Sequence, residues 1–141
     1  MFQQNYPQVN HNYVFELNKD FNFSAAHYIP SEDAGKCMRT HGHTYFVNLT
    51  IAGDELDHNG FLVNFSDLKK LVHGSFDHQL LNELPMFKGK SPSTEVVAQT
   101  IYEIIQNNLD ARSNKPHCLQ VYVRETPTSY VVYRPKELQN G

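Results

Sequence analysis

The sequence has no surplus of positive charge, no long apolar run and only two cysteines, and each absence excludes a class of protein. Its 12 Lys and Arg residues stand against 15 Asp and Glu residues, a formal net charge of -3, whereas a nucleic-acid-binding face needs a basic surplus. No apolar run approaches the roughly 18 residues of a membrane span, and the first residues lack the basic and apolar regions of a secretion signal. We therefore expect a cytoplasmic protein with neither nucleic-acid nor membrane partners.

The two cysteines, Cys37 and Cys118, are too few for a four-cysteine zinc site. They could pair as a disulfide, but a reducing compartment favours two free thiols. The remaining composition, with 40% apolar and 19% charged residues, is that of a folded domain. The sequence contains no repeat or low-complexity linker, so we predict a flexible N-terminal tail over residues 1–11 and a single domain over residues 12–141.

Hydrophobic periodicity predicts four strands and two helices in the order ββααββ. Lys19 and Asp20 interrupt the alternating pattern of the first strand, which indicates a kink or bulge there. Strands grouped in hairpins around two helices predict an α+β domain whose antiparallel sheet carries both helices on one face. The predicted elements are strands near 13–27 and 41–51, helices near 65–76 and 97–109, and strands near 119–125 and 130–133.

Histidine is unusually frequent, with eight residues in the chain. His27 is in phase with the apolar positions of the first strand, and His41 and His43 are in phase with those of the second. A hairpin would bring these three imidazoles to one edge of the apolar face, where zinc could bind them and keep a fourth position open. The alternative is that His41-Gly-His43 begins an ordinary polar strand and that His27 is a hydrogen-bonded core residue.

Three further features suggest chemistry near this cluster. Cys37 lies four residues before His41 and could be a fourth ligand of a closed metal site, a thiolate acting as general base, or a small apolar loop residue. Asp77 precedes His78 and could fix the tautomer of that imidazole. Glu125 ends an apolar stripe, so it could bind a ligand with two adjacent N–H donors, such as a 2-amino-4-oxo pterin or a guanine edge, or pair with another segment.

Five motifs, in this order along the chain, resemble the 6-pyruvoyl-tetrahydropterin synthase family. The resemblance covers nearly the whole predicted domain. The short gap between Cys37 and His41 is similar to that of the bacterial 6-carboxytetrahydropterin synthases of queuosine biosynthesis. The motifs are Phe-Ser-Ala-Ala-His at 23–27, Cys-Met-Arg-Thr-His-Gly-His at 37–43, Asp-His at 77–78, Ser-Thr-Glu at 93–95 and Arg-Glu-Thr at 124–126.

The resemblance implies the tunnelling fold, in which protomers join into an oligomeric barrel with active sites between subunits. It implies a homo-oligomer, which we expect to be a hexamer built as a dimer of trimers, and Zn²⁺ as the cofactor. The site residues that it implies are His27, His41 and His43 for zinc, Cys37, Asp77 and His78 for proton transfer, and Glu125 for the pterin, with Thr94 and Glu95 helping to line the pocket.

The implied activity is that of a carbon–carbon lyase acting on 7,8-dihydroneopterin triphosphate. The products would be 6-carboxy-5,6,7,8-tetrahydropterin, acetaldehyde and triphosphate. Zinc would act as a Lewis acid, and the substrate carries its own leaving group, so no organic cofactor is expected. Two alternatives remain open: a 6-pyruvoyltetrahydropterin synthase that stops before carbon–carbon cleavage, and a non-catalytic module that binds zinc or a pterin.

Overall fold

The computed structural model describes residues 5–31, 35 and 40–136, except for the side chain of His41. This part of the chain has two α-helices and five strands, which confirms the predicted α+β class. None of its helices has the length and apolar character needed to cross a membrane. In chain order the elements are β1 (Phe15–His27), β2 (His41–Gly53), α1 (Phe65–Phe76), β3 (Gln79–Leu80), α2 (Thr94–Asp110), β4 (His117–Thr126) and β5 (Ser129–Tyr133).

The strands form one sheet in the order β3-β1-β2-β4-β5. β1 and β2 are antiparallel and in unbroken register from the pair Phe15 and Gly53 to the pair His27 and His41. β2 with β4 and β4 with β5 are also antiparallel, and β3 pairs parallel with the end of β1. The end of β1 and the beginning of β2 are therefore adjacent, as the predicted hairpin requires.

The hydrophobic core lies between the helices and one face of the sheet. Each helix begins at a residue whose side chain accepts a backbone N–H: Asn64 caps α1 and Ser93 caps α2. The apolar side of α1 packs on β1 and that of α2 packs on β4 and β5, and the two helices also contact each other. Core residues from these elements include Phe23, Val47, Leu49, Leu68, Phe76, Val97, Ile101 and Val121.

Two details of the sheet differ from the predictions. The predicted kink at Lys19 and Asp20 is wrong, because both residues keep the β1–β2 register. The Lys19 side chain stays in phase and places its ammonium group 5.8 Å from the ring centroid of Phe65, so a polar residue is accommodated without a bulge. The strand β3 was not predicted, since two residues at a sheet edge carry no periodicity.

The even-numbered face of β4 is partly covered by the N-terminal segment. The Gln120 side chain donates a hydrogen bond to the carbonyl of Pro7 at 2.8 Å, and the rings of Tyr6 and Tyr122 lie edge to face at 4.8 Å. Residues 5–13 form neither helix nor strand. The division into a flexible tail and one domain stays a prediction.

Cys118 is a free thiol in the core at the start of β4. Burial raises its pKa to about 12, despite a weak hydrogen bond to the carbonyl of Gln120. Because the thiolate is the reactive form, this cysteine is chemically inert at neutral pH. Cys37 lies outside the described residues.

Candidate functional site

Three strand ends bring His27, His43 and Glu125 together. One imidazole nitrogen from each histidine and one carboxylate oxygen lie within 4.8 Å of one another. Glu125 Oε1 is 2.9 Å from His43 Nε2 and 3.6 Å from His27 Nε2. The cluster forms because β2 lies between β1 and β4 in the sheet. The last residues of β1, the first residues of β2 and the last residues of β4 are therefore neighbours at the same end of these strands.

His27 is held in one orientation by the loop before α2. Its Nδ1–H donates a hydrogen bond to the carbonyl of Pro92 at 2.6 Å, and the side chain is buried. A carbonyl can only accept, so Nδ1 carries a proton and Nε2 is the atom that faces Glu125. Burial alone would lower the pKa of His27, but the hydrogen bonds with Glu125 and Pro92, together with the carboxylate charge, raise it above its usual value.

Glu125 is also tied to the beginning of α2. The Thr94 hydroxyl donates a hydrogen bond to its Oε2 atom. Ser93 caps the helix by accepting the Val96 N–H at 3.3 Å, and this cap fixes the position of Thr94. Glu95, one residue further, is exposed. The carboxylate of Glu125 therefore contacts side chains of other segments. Such contacts were the alternative to a ligand-binding role in the sequence analysis.

The donor set fits a divalent cation. Two imidazole nitrogens face one carboxylate oxygen, and this arrangement requires positive charge, which either protons on the rings or a metal ion can supply. The Nδ1–H bond of His27 to a carbonyl is the outer-shell contact common for a metal-bound imidazole. The backbone of His41 pairs with His27. Its side chain, like all of Cys37, lies outside the described residues.

Asp77 and His78 lie beyond the outer edge of β1, just after α1. The His78 N–H donates to the carbonyl of Ser24 at 2.6 Å, and the Ser24 N–H donates to Asp77 Oδ1 at 2.9 Å. Asp77 Oδ2 lies 3.5 Å from His78 Nε2. His78 has a left-handed backbone with φ of 60°, and its side chain is 82% exposed.

The structure does not bring His78 into the cluster of His43 and Glu125. The cleft beside the His78 imidazole includes Ser24 and Thr44, which pair across β1 and β2 and whose hydroxyl oxygens are 3.4 Å apart. Side chains alternate between the two faces of a strand, so Thr44 points away from the face that carries His43. His78 is not one of the three residues whose ligand atoms converge, although it lines the same cleft as His43.

Two further residues near these groups were not predicted from the sequence. His73 Nε2 bonds with the carbonyl of Asn22, and its Nδ1 lies 3.5 Å from Asp77 Oδ2. The ring of Tyr45 lies 6.0 Å from that of His27 and 5.8 Å from that of His43. Its position two residues after His43 on the same strand face was the available signal.

We expect Asp77→Asn to weaken the acid dependence of stability. The Ser24 N–H lowers the pKa of Asp77, partial desolvation opposes this, and the charges of His78 and His73 lower it further. A lowered folded-state pKa contributes stability above the unfolded value of 3.8, and this contribution is lost as the pH falls through the folded pKa. The free energy of unfolding, measured by urea denaturation from pH 6 to pH 2.5, should therefore fall less steeply below about pH 4 in the variant.

A matched control is Glu103→Gln, which removes one carboxylate from the exposed side of α2. This variant should follow the wild-type acid profile more closely than Asp77→Asn does. If the free energy of unfolding fell equally steeply with decreasing pH in Asp77→Asn and the wild type, the assigned contacts of Asp77 would be contradicted.

Comparison with known proteins agrees with this geometry. The family model of 6-pyruvoyl tetrahydropterin synthase matches residues 16–136. The chain is 63% identical to 6-carboxy-5,6,7,8-tetrahydropterin synthase of Bacillus subtilis, with 97% of each chain covered. It is 33% identical to the Synechocystis protein of the same name, over 83% of this chain and 91% of that protein.

Solved structures of proteins with the same family name have a similar fold. The 6-pyruvoyl tetrahydropterin synthase of Caenorhabditis elegans superposes with a TM-score of 0.70 at 28% identity, covering 86% of this chain and 96% of that one. The Plasmodium vivax protein of that name, at 22% identity and a TM-score of 0.61, covers 86% of this chain and 97% of that one and supports the fold alone. The chain therefore has the tunnelling fold and belongs to the 6-pyruvoyl tetrahydropterin synthase family of enzymes.

Proposed function

We propose that this protein is a zinc-dependent 6-carboxy-5,6,7,8-tetrahydropterin synthase. It converts 7,8-dihydroneopterin triphosphate and one water molecule into 6-carboxytetrahydropterin, acetaldehyde and triphosphate, a step of queuosine biosynthesis in the cytoplasm. The observation that carries the proposal is the convergence of His27, His43 and Glu125 at one end of three adjacent strands. The 63% identity to the Bacillus subtilis protein of that name supports the choice of product within the family.

His27, His41 and His43 would hold the metal ion. The strand register supports this set, since His41 lies opposite His27 and His43 follows two residues later on the same face. When bound, a zinc ion supplies Lewis acidity that polarises the side-chain oxygens of the substrate. Three imidazole ligands leave one coordination position for those oxygens, which is the pattern of catalytic rather than structural zinc sites.

Glu125 would bind the pterin ring. Its two carboxylate oxygens can accept the two adjacent N–H groups of the 2-amino-4-oxo edge. The Thr94 hydroxyl bond holds one of these oxygens in place. Glu95 would line the outer part of the same pocket from the first turn of α2.

Cys37 would be the general base, and His78, oriented by Asp77, would be the second acid–base group. Since His78 is not among the residues whose ligand atoms converge, we propose that it serves the cluster of a neighbouring subunit. Only three residues separate Cys37 from His41, so we propose that Cys37 serves the metal site of its own chain. Each active site would then combine Cys37 of one copy with Asp77 and His78 of another.

The sheet edges support such an assembly. β3 pairs only with Ala25 and Ala26, so most of the outer edge of β1 has no partner strand in the described part of the chain. β5 is the opposite edge and carries the exposed Tyr130. Unpaired edges invite pairing with another copy, which closes sheets into a barrel. We propose a hexamer made of two trimers.

The reaction itself is tested by incubating the metal-loaded protein with 7,8-dihydroneopterin triphosphate. We expect 6-carboxytetrahydropterin and acetaldehyde in equal amounts, with release of triphosphate. Triphosphate release with a 6-pyruvoyl product and no acetaldehyde would assign the protein to the 6-pyruvoyl activity, the name that a Dictyostelium relative carries at 31% identity. Pterin binding without triphosphate release would indicate a non-catalytic module.

A further inference from the structure

Tyr45 has a buried hydroxyl group close to the candidate metal cluster. The side chain is fully buried in β2, stacked on Phe23 at a ring distance of 4.9 Å. Its hydroxyl has no hydrogen-bond partner among the residues that the structure describes. A buried hydroxyl without a partner is unfavourable and rare in folded proteins, so its retention beside the candidate metal cluster points to a partner that it gains in another state of the site.

Glu125 is a hydrogen-bond acceptor beside Tyr45 in the sheet. Phe46 pairs with Arg124, so the neighbouring residues Tyr45 and Glu125 lie side by side on the opposite, core-facing side of β2 and β4. A phenol has an ordinary pKa of about 10, so the Tyr45 hydroxyl keeps its proton at neutral pH and can act as a donor.

Metal binding changes which donors Glu125 can use. At present its Oε1 atom lies 2.9 Å from His43 Nε2 and 3.6 Å from His27 Nε2. A histidine nitrogen that coordinates a cation directs its lone pair at the ion and no longer donates a hydrogen bond. Glu125 would then keep the bond from Thr94 on Oε2, while the imidazole nitrogens near Oε1 face the cation.

We propose that Tyr45 is a positioning residue whose hydroxyl donates a hydrogen bond to Glu125 Oε1 once a divalent cation occupies the histidines. The proposal rests on the metal site of the proposed function. An ionised carboxylate can accept about four hydrogen bonds, two on each oxygen. Tyr45 and Thr94 would then contribute one donor to each oxygen and hold the carboxylate in place for the paired N–H donors of a pterin edge.

The test is a double-mutant cycle of Tyr45→Phe and Glu125→Gln, read out as Zn²⁺ affinity by competition with a chromogenic chelator. Removing the hydroxyl should weaken Zn²⁺ binding roughly tenfold while Glu125 is present, as expected for a hydrogen bond to a charged group. In the Glu125→Gln background, Tyr45→Phe should change the affinity by less than about twofold, because the charged acceptor is gone. Equal effects in both backgrounds, or none in either, would overturn the proposal.

Thermal melting in the presence of a chelator provides a second readout. The metal-free Tyr45→Phe variant should melt at the wild-type temperature or above it, since the lost hydroxyl has no partner in that state. A melting temperature lowered by several degrees would show that the hydroxyl is already bonded without metal and would overturn the proposal. Tyr122→Phe, which removes a hydroxyl from a buried ring on the other sheet face, is the control and should leave Zn²⁺ affinity unchanged.

Turnover of 7,8-dihydroneopterin triphosphate is measured in parallel and concerns only the proposed function. A wild-type protein that binds Zn²⁺ but does not turn over this substrate would refute the reaction and leave the cycle of Tyr45 and Glu125 interpretable. A wild-type protein that binds no Zn²⁺ would overturn both proposals.

Discussion

Replacing His43 by alanine should abolish both stable metal binding and turnover while the protein stays folded. His43 Nε2 faces the centre of the cluster at 2.9 Å from Glu125, so its loss removes one of three imidazole ligands. Even outer-shell contacts of metal sites change affinity about 10–100-fold, and we expect a drop beyond about 100-fold for a direct ligand. Lewis-acid stabilisation is worth several kcal/mol, so kcat/KM should fall by about a thousandfold or more.

The measurements are zinc content by elemental analysis after dialysis, steady-state kinetics, and circular dichroism for the fold. His58→Ala is the matched control, because His58 is exposed in the loop between β2 and α1 and lies apart from the cluster in sequence. It should retain wild-type zinc content and activity. Full zinc occupancy or wild-type turnover in His43→Ala would contradict the assignment of this residue.

Mixed oligomers of two inactive variants should regain activity. Cys37→Ala removes the proposed base and His78→Ala the second acid–base group, so each variant alone should lose nearly all turnover. If each active site takes Cys37 from one copy and His78 from another, random assembly of equal amounts leaves about one quarter of the sites with both groups. The mixture, refolded together from denaturant, should therefore show about a quarter of the wild-type rate.

A second mixture controls for nonspecific recovery on refolding. Cys37→Ala combined with His43→Ala should stay inactive, because both groups are expected on the same copy and no chain in the mixture has both. An inactive mixture of Cys37→Ala with His78→Ala, under conditions that restore refolded wild-type protein, would mean that each site is built from a single chain. His78 would then act through the cleft that it lines together with His43 of the same chain.

Much of the fold follows from hydrophobic periodicity, because most elements are long and amphipathic. α1 and α2 each have a clear apolar face and a capping side chain at Asn64 or Ser93, and the alternation of β1 and β2 identifies their buried faces. The two-residue strand β3 has no such signal, and it forms only because the turn after α1 lies against the end of β1. Lys19 was misread as a break because contact with Phe65 cannot be deduced from local sequence.

The candidate site could be predicted in part for the same reason. Strand phase places His27 and His43 on one face, and the hairpin register brings them together; Glu125 joins them because β4 pairs with β2. Phase alone does not reveal which side of the sheet a turn residue occupies. The position of His78 depends on a left-handed backbone and on hydrogen bonds with Ser24, 54 positions earlier in sequence, which no local pattern encodes.

X-ray absorption spectroscopy at the zinc edge on the purified protein tests the central claim most directly. We predict one zinc per chain, with nitrogen or oxygen neighbours only, at about 2.0–2.1 Å, three of them with the multiple-scattering signature of imidazole. A sulfur neighbour at about 2.3 Å would make Cys37 a ligand and close the site against substrate. That result, or fewer than two imidazole neighbours, would contradict the proposed zinc centre and the chemistry assigned to it.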